Sequence, residues 1–130
     1  MAKSESGTML RAAHSDLQAL RHMPDRFAFD ERIFGFHAQQ ACEKALKAWL
    51  LYLGHAPPFI HDLREIIALL ARQDVTVAEA ADIAPLTVYA ALARYGEEPT
   101  NLLDRPAILA LCERLYAHVA ERTGQHPEKR

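Results

Sequence analysis

Between residues 37 and 47, four polar side chains recur at intervals of three, four and three: His37, Gln40, Lys44 and Lys47. On a helix this spacing places them along one stripe. Gln39 and Glu43 border it. Two lysines on one line, with two amides beside them, point to a phosphate or an acidic partner as the thing bound. The plainer alternative is the solvated face of an otherwise buried helix. His61-Asp62 follows a Pro-Pro loop, where Asp62 can cap a helix and His61 can reach back across to the stripe. Arg94-Tyr95 ends a later segment, where an arginine also suits the helix dipole.

Seven histidines invite a metal, but the spacings do not supply one. There is no HxxxH, no Glu-x-x-His and no CxxC. Cys112 and His118 point about 240° apart on a helix. No phosphate loop, GxSxG or GxGxxG occurs. No metal and no cofactor is therefore expected. Cys42 and Cys112 sit in apolar helical contexts and read as buried thiols in a reducing cytoplasm.

The elements that must position these residues are helices. Period-2 alternation is missing, and Gly and Pro fall between runs of helical periodicity. A first helix is expected from about Thr8 to Met23, with Leu10, Ala13, Leu17 and Leu20 inward and Pro24 as its stop. The second runs from an Asp30 cap to Gly54 and is apolar around most of its girth, so it is either central or packed on a partner. A third runs from about His61 or Asp62 to Arg72. Thr76-Val-Ala-Glu79 reads as a capping box for a fourth helical region that ends at Tyr95-Gly96 and is interrupted by Pro85. Residues 97–103 form a loop. Asp104 caps a last helix, Pro106 sits in its first turn, and Gly124 ends it. The fold class is all-α: an up-and-down bundle of four to five helices in one domain over 1–130, with its core at about 8–122 and a mobile tail at 125–130.

Composition narrows the functions. The chain has 130 residues, 15 basic against 17 acidic, and half of them are apolar. A binder of nucleic acid by bulk charge would be basic, so a phosphate can be held only at a local site. No apolar run reaches the roughly 18 to 20 residues that span a membrane, and the polar Met1–Gly7 is no secretory signal. The segment TVAEAADIAPLTVYAAL resembles a helix-turn-helix. Its would-be recognition helix carries no basic residue to read base edges, so DNA is not expected.

The segment Phe36-His-Ala-Gln-Gln-Ala-Cys-Glu-Lys-Ala-Leu-Lys-Ala-Trp-Leu50 resembles the central helix of the HEPN family, the higher eukaryote and prokaryote nucleotide-binding domains. Gly54, Pro57-Pro58 and His61-Asp62-Leu63 continue the pattern. Tyr89 and Arg94-Tyr95 match its later part, with Gly96 where proline is usual. The resemblance covers about residues 8 to 122. It implies an all-α cytoplasmic homodimer, often paired with a minimal nucleotidyltransferase in a toxin–antitoxin system. It also implies, for many members, a metal-independent RNase built on Arg-x4–6-His.

Two Arg–His pairs bear on that RNase. Arg32 and His37 have the spacing but point about 140° apart on a helix. Arg114 and His118 lie about 40° apart on one face, with one residue too few between them. An RNase would use the histidine as general acid or base and the arginine on the pentacovalent phosphate. The expectation is a HEPN-like domain that binds a nucleotide or a nucleotidyltransferase through Gln40, Lys44, Lys47, His61 and Arg94. An RNase toxin is the alternative. An oligomerisation module without a small ligand is the second alternative.

Overall fold

Leu10, Ala13, Leu17 and Leu20 share one helical face, and each is at most 1% exposed. Burying such a leucine is worth about 1.5–3 kcal/mol, which holds the first helix to its neighbours. In the computed structural model, which describes residues 2–25, 27–95 and 102–126 (backbone alone for 2 and 93–95), that helix is α1, Ala2–Arg21. The others are α2 (Glu31–Tyr52), α3 (Leu63–Ala71), the single turn α4 (Ala80–Ile83), α5 (Val88–Tyr95) and α6 (Arg105–Arg122). Among the described residues there is no strand. The all-α bundle read from the sequence is the fold.

α2 lies at the centre and packs against α1, α3, α5 and α6. Its apolar girth is consumed inside the chain, so that girth no longer argues for a partner. The Asp30 side chain accepts from Ile33 N at its start, and Gly54 takes φ +88° after its end. That positive φ suits glycine, which carries no Cβ to clash. Gly35 is needed for closeness: a Cβ there would stand 2.3 Å from the Tyr89 ring of α5.

Three boundaries differ from the sequence reading. α1 starts at Ala2 rather than about Thr8, because Ser6 is fully buried and its hydroxyl donates to Ala48 O at 2.7 Å. Gln125, expected in a mobile tail, is held: its N–H donates to Ala120 O at 2.8 Å and its Nε2 donates to Ser6 Oγ at 2.9 Å. The last four residues of that tail, 127–130, and most of the expected 97–103 loop lie outside the described residues. The capping box at Thr76 does not form. α4 begins only at Ala80 with no side-chain cap, since the Glu79 carboxylate turns to His118 instead. A charge-assisted contact to a histidine outweighs a hydrogen bond to one exposed backbone N–H. Pro85 divides the fourth region into α4, a 3-10 turn over Ala84–Thr87, and α5.

An arginine the sequence reading left aside ties one end of the bundle together. Arg105, 3% exposed, donates to the carbonyls of Met23 and Phe29, pairs with Glu31, and lies 5.0 Å over the Phe34 ring. It joins the α1–α2 connection to the start of α6. No helix among the described residues is long and apolar enough to cross a membrane.

Candidate functional site

The stripe on α2 is neither an open row of cations nor a solvated face. Gln39 is fully buried, and Glu43 and Lys47 are 5% and 8% exposed. Lys47 Nζ donates to Glu43 Oε2 at 2.9 Å, one helical turn away. Gln39 Nε2 donates to Glu43 Oε1 at 2.9 Å and to His61 O at 3.0 Å. Gln40 Nε2 donates to Gln39 Oε1 at 2.8 Å. His61 reaches across from the start of α3 as expected, with Nδ1 3.0 Å from Glu43 Oε1. Asp62 caps α3, its side chain accepting from Arg64 N. Glu43 therefore sits at the centre of a closed set of donors. Burial alone pushes its carboxyl up, but hydrogen bonds from Gln39, Lys47 and His61 outweigh burial and hold it below its usual range.

A second carboxylate organises the other half of the stripe. Asp16 of α1, 7% exposed, takes Lys44 Nζ on one oxygen at 2.7 Å and His37 Nδ1 on the other at 2.9 Å. Each lysine is thus matched by an acid: Lys47 by Glu43, one turn before it on α2, and Lys44 by Asp16, which the spacing on α2 did not disclose. With both histidines neutral, the face carries two positive and two negative charges. Its open positions are the Nε2 edges of His37 and His61, the Gln40 amide and the exposed flank of Lys44.

The structure separates the two Arg–His pairs. Arg32 Nη2 donates to Asp30 Oδ2 at 3.3 Å while His37 turns to Asp16, so their polar ends serve different carboxylates. They still border one shallow cavity of about 180 Å³ with Ile33 and Phe36. Arg114 and His118 both lie exposed on α6. His118 Nδ1 stands 2.6 Å from Glu79 Oε2, and the Glu79 side chain is 7% exposed. Glu79 is a residue that sequence reasoning assigned to a cap. A signal for its true role existed in its apolar surroundings, Val77 to Ile83, where an acid needs a partner. Arg94 falls in the last turn of α5, and its side chain lies outside the described residues.

Cys42 and Cys112 are free and buried, with sulfurs 3.7 Å apart. The shared hydrogen bond and burial push the Cys42 thiol well up, so it stays a thiol. No group of three or more metal-ligating side chains assembles among the described residues.

A family model described as HEPN domain matches residues 7–122. No curated protein and no solved structure matches the chain.

Proposed function

The chain belongs to the HEPN family, and from that premise we propose that it is a nucleotide-binding module whose α2 face receives the phosphates. The observation that carries this is the Glu43 cluster. The fold buries three polar side chains on its central helix and ties them to His61, leaving the outer edge of that imidazole for a ligand. Buried polar groups hold a face in one geometry when they are hydrogen-bonded, and Gln39, Glu43 and Lys47 each are. The lysines are already matched by Asp16 and Glu43, so phosphate recognition falls to the outer edges of His61 and His37, with Gln40 and the open side of Lys44. Six residues from His37 to Glu43 advance about 9 Å along α2, so a ligand touching both ends carries more than one phosphate.

Calorimetric titration with the four ribonucleoside triphosphates, metal-free and near pH 6.5, tests this. His61→Gln and Lys44→Gln are expected to weaken binding at least about five-fold, equivalent to about 1 kcal/mol, while the protein stays folded at the temperature of the titration. Wild-type affinity in both variants, or no binding by the wild type, overturns the reading. Lys47 is not a clean probe, since its removal strands Glu43.

The proposed partners are a second copy of the chain and a nucleotidyltransferase. Supporting a second copy are the exposed apolar Ile33 of α2 and Val88 of α5, on neighbouring helices. Sedimentation at micromolar concentration is expected to give a dimer. Metal-independent RNA cleavage is a second reading, supported by the His118–Glu79 contact, which leaves Nε2 to take a proton. Cleavage of labelled RNA in EDTA, lost in His118→Ala, would establish it. Cleavage surviving that change would remove it.

A further inference from the structure

α6 carries an exposed basic stripe, Arg114, His118 and Arg122, at four-residue intervals. Its last member belongs to a different feature. Arg122 borders a cavity of about 260 Å³ together with Trp49 of α2 and with Asp74, Val75 and Thr76, which follow α3. That volume falls below the roughly 300 Å³ at which sites for drug-sized molecules begin. The lining is mostly polar, so the cavity suits a small charged molecule rather than a ring system. One cation and one anion line it, and among the described residues neither Arg122 nor Asp74 forms an ion pair, with the other or with a third residue. Asp74 also stands where the chain elsewhere uses glycine. After α2, α3 and α6 alike, a backbone N–H donates to the carbonyl five residues back: His55 N to Leu50 O, Val75 N to Leu70 O and Gln125 N to Ala120 O. The residue before each donor is left-handed: Gly54 at φ +88°, Asp74 at +61° and Gly124 at +64°. Glycine suits this turn because a Cβ crowds the backbone there. The Asp74 side chain makes no hydrogen bond among the described residues, so the turn does not need its carboxylate. An acid is thus held in strained backbone at the edge of a cavity that it shares with an unpaired arginine.

We propose that this cavity binds a free α-amino acid, with its carboxylate on the Arg122 guanidinium, its ammonium on Asp74, and a short side chain beside Trp49, Val75 and the Thr76 hydroxyl. A guanidinium fork matches the two oxygens of a carboxylate, and both contacts are charge-assisted. An unpaired cation and an unpaired anion on one small cavity call for both opposite charges on one small molecule. A residue inside a peptide carries neither charge, and a simple acid or amine carries one. The mostly polar lining favours a small or hydroxylated side chain over an aromatic one. The site lies apart from the Glu43 and Asp16 clusters and does not depend on what the α2 face binds.

The chain has one tryptophan, so its indole N–H gives a single NMR signal that reports on the cavity. L-serine and L-alanine are titrated to about 20 mM into the isotope-labelled protein, beside propionate and ethylamine, because two exposed charge pairs support affinity in the millimolar range. At least one of the amino acids should shift the Trp49 indole and the Val75 and Thr76 amides saturably. It should bind at least about ten-fold more tightly than propionate or ethylamine, which offer one charge each. Arg122→Gln and Asp74→Asn should each weaken binding at least about ten-fold while the protein stays folded. Asp74→Gly should weaken it as much and yet melt no lower than the wild type, since glycine fits the turn better. A lower melting temperature in that variant would make Asp74 a part of the turn and overturn its role. His61→Gln should leave amino-acid binding unchanged, and weaker binding there would move the ligand to the α2 face. No saturable shift with either amino acid, propionate or ethylamine bound as tightly, or wild-type affinity in Arg122→Gln or Asp74→Asn would each overturn the proposal.

Discussion

The α2 face and the α6 stripe are built from the same kinds of residue: basic side chains around a histidine whose Nδ1 meets a buried carboxylate. They differ in how the charges are matched. On α2 each lysine has its own acid, Lys44 with Asp16 and Lys47 with Glu43, and the cluster is largely closed to water. On α6 one acid, Glu79, serves only His118, and neither Arg114 nor Arg122 pairs with a carboxylate among the described residues. The first arrangement holds two helices in register and then offers its edge. The second leaves its cations open. Position relative to acids, on the same helix for Lys47 and on another for Lys44, decides whether a basic residue is architecture or a contact point.

The largest expected effect lies on α2. Glu43→Ala strands Lys47 in a buried site and should cost about 3 kcal/mol in chemical denaturation. Arg114→Ala or Arg122→Ala should stay within about 0.5 kcal/mol. Equal costs on the two faces would break the comparison. Gly35→Ala comes next: its methyl would press into the Tyr89 ring, and overpacking of this kind costs about 1–3 kcal/mol. Pairing it with Tyr89→Leu should recover part of the loss, measured by thermal melting.

Acid titration sharpens the comparison further. Glu43 lies below its ordinary value of 4.5 through its donors, and Asp30 lies below 3.8 through the Ile33 N–H and Arg32. A lowered carboxylate stabilises the fold above its unfolded value and loses that contribution as pH falls through the folded one. Melting temperature should therefore fall below about pH 4.5. Glu43→Gln should flatten that fall, whereas Arg114→Gln should leave it as it is. Within the α2 face the smallest effect is expected of Lys44→Gln, at most about 1 kcal/mol, because the pair is part-exposed and Asp16 keeps His37.

Much of this was legible in the chain. Helical periodicity, the Asp30, Asp62 and Asp104 caps and the glycines at 54 and 124 place five of the helices. The reach of His61 towards α2 was legible too, because a capped helix after a short loop fixes where its first residue stands. The start of α1 and the fate of Gln125 were not. Both hang on Ser6, whose partners are 42 and 119 residues away. The roles of Asp16, Glu79 and Arg105 escaped for the same reason: each meets its partner across the bundle, at distances along the chain that no local pattern encodes.

The sequence by itself determined that this protein is a helical bundle, that α2 carries its polar stripe, and that it belongs among the HEPN domains, because propensity, capping and hydrophobic spacing act over a few residues at a time. Only the tertiary structure decided which charges are cancelled and which are left open. Electrostatic matching depends on distances of a few ångströms between residues far apart in the chain, and packing alone sets those distances.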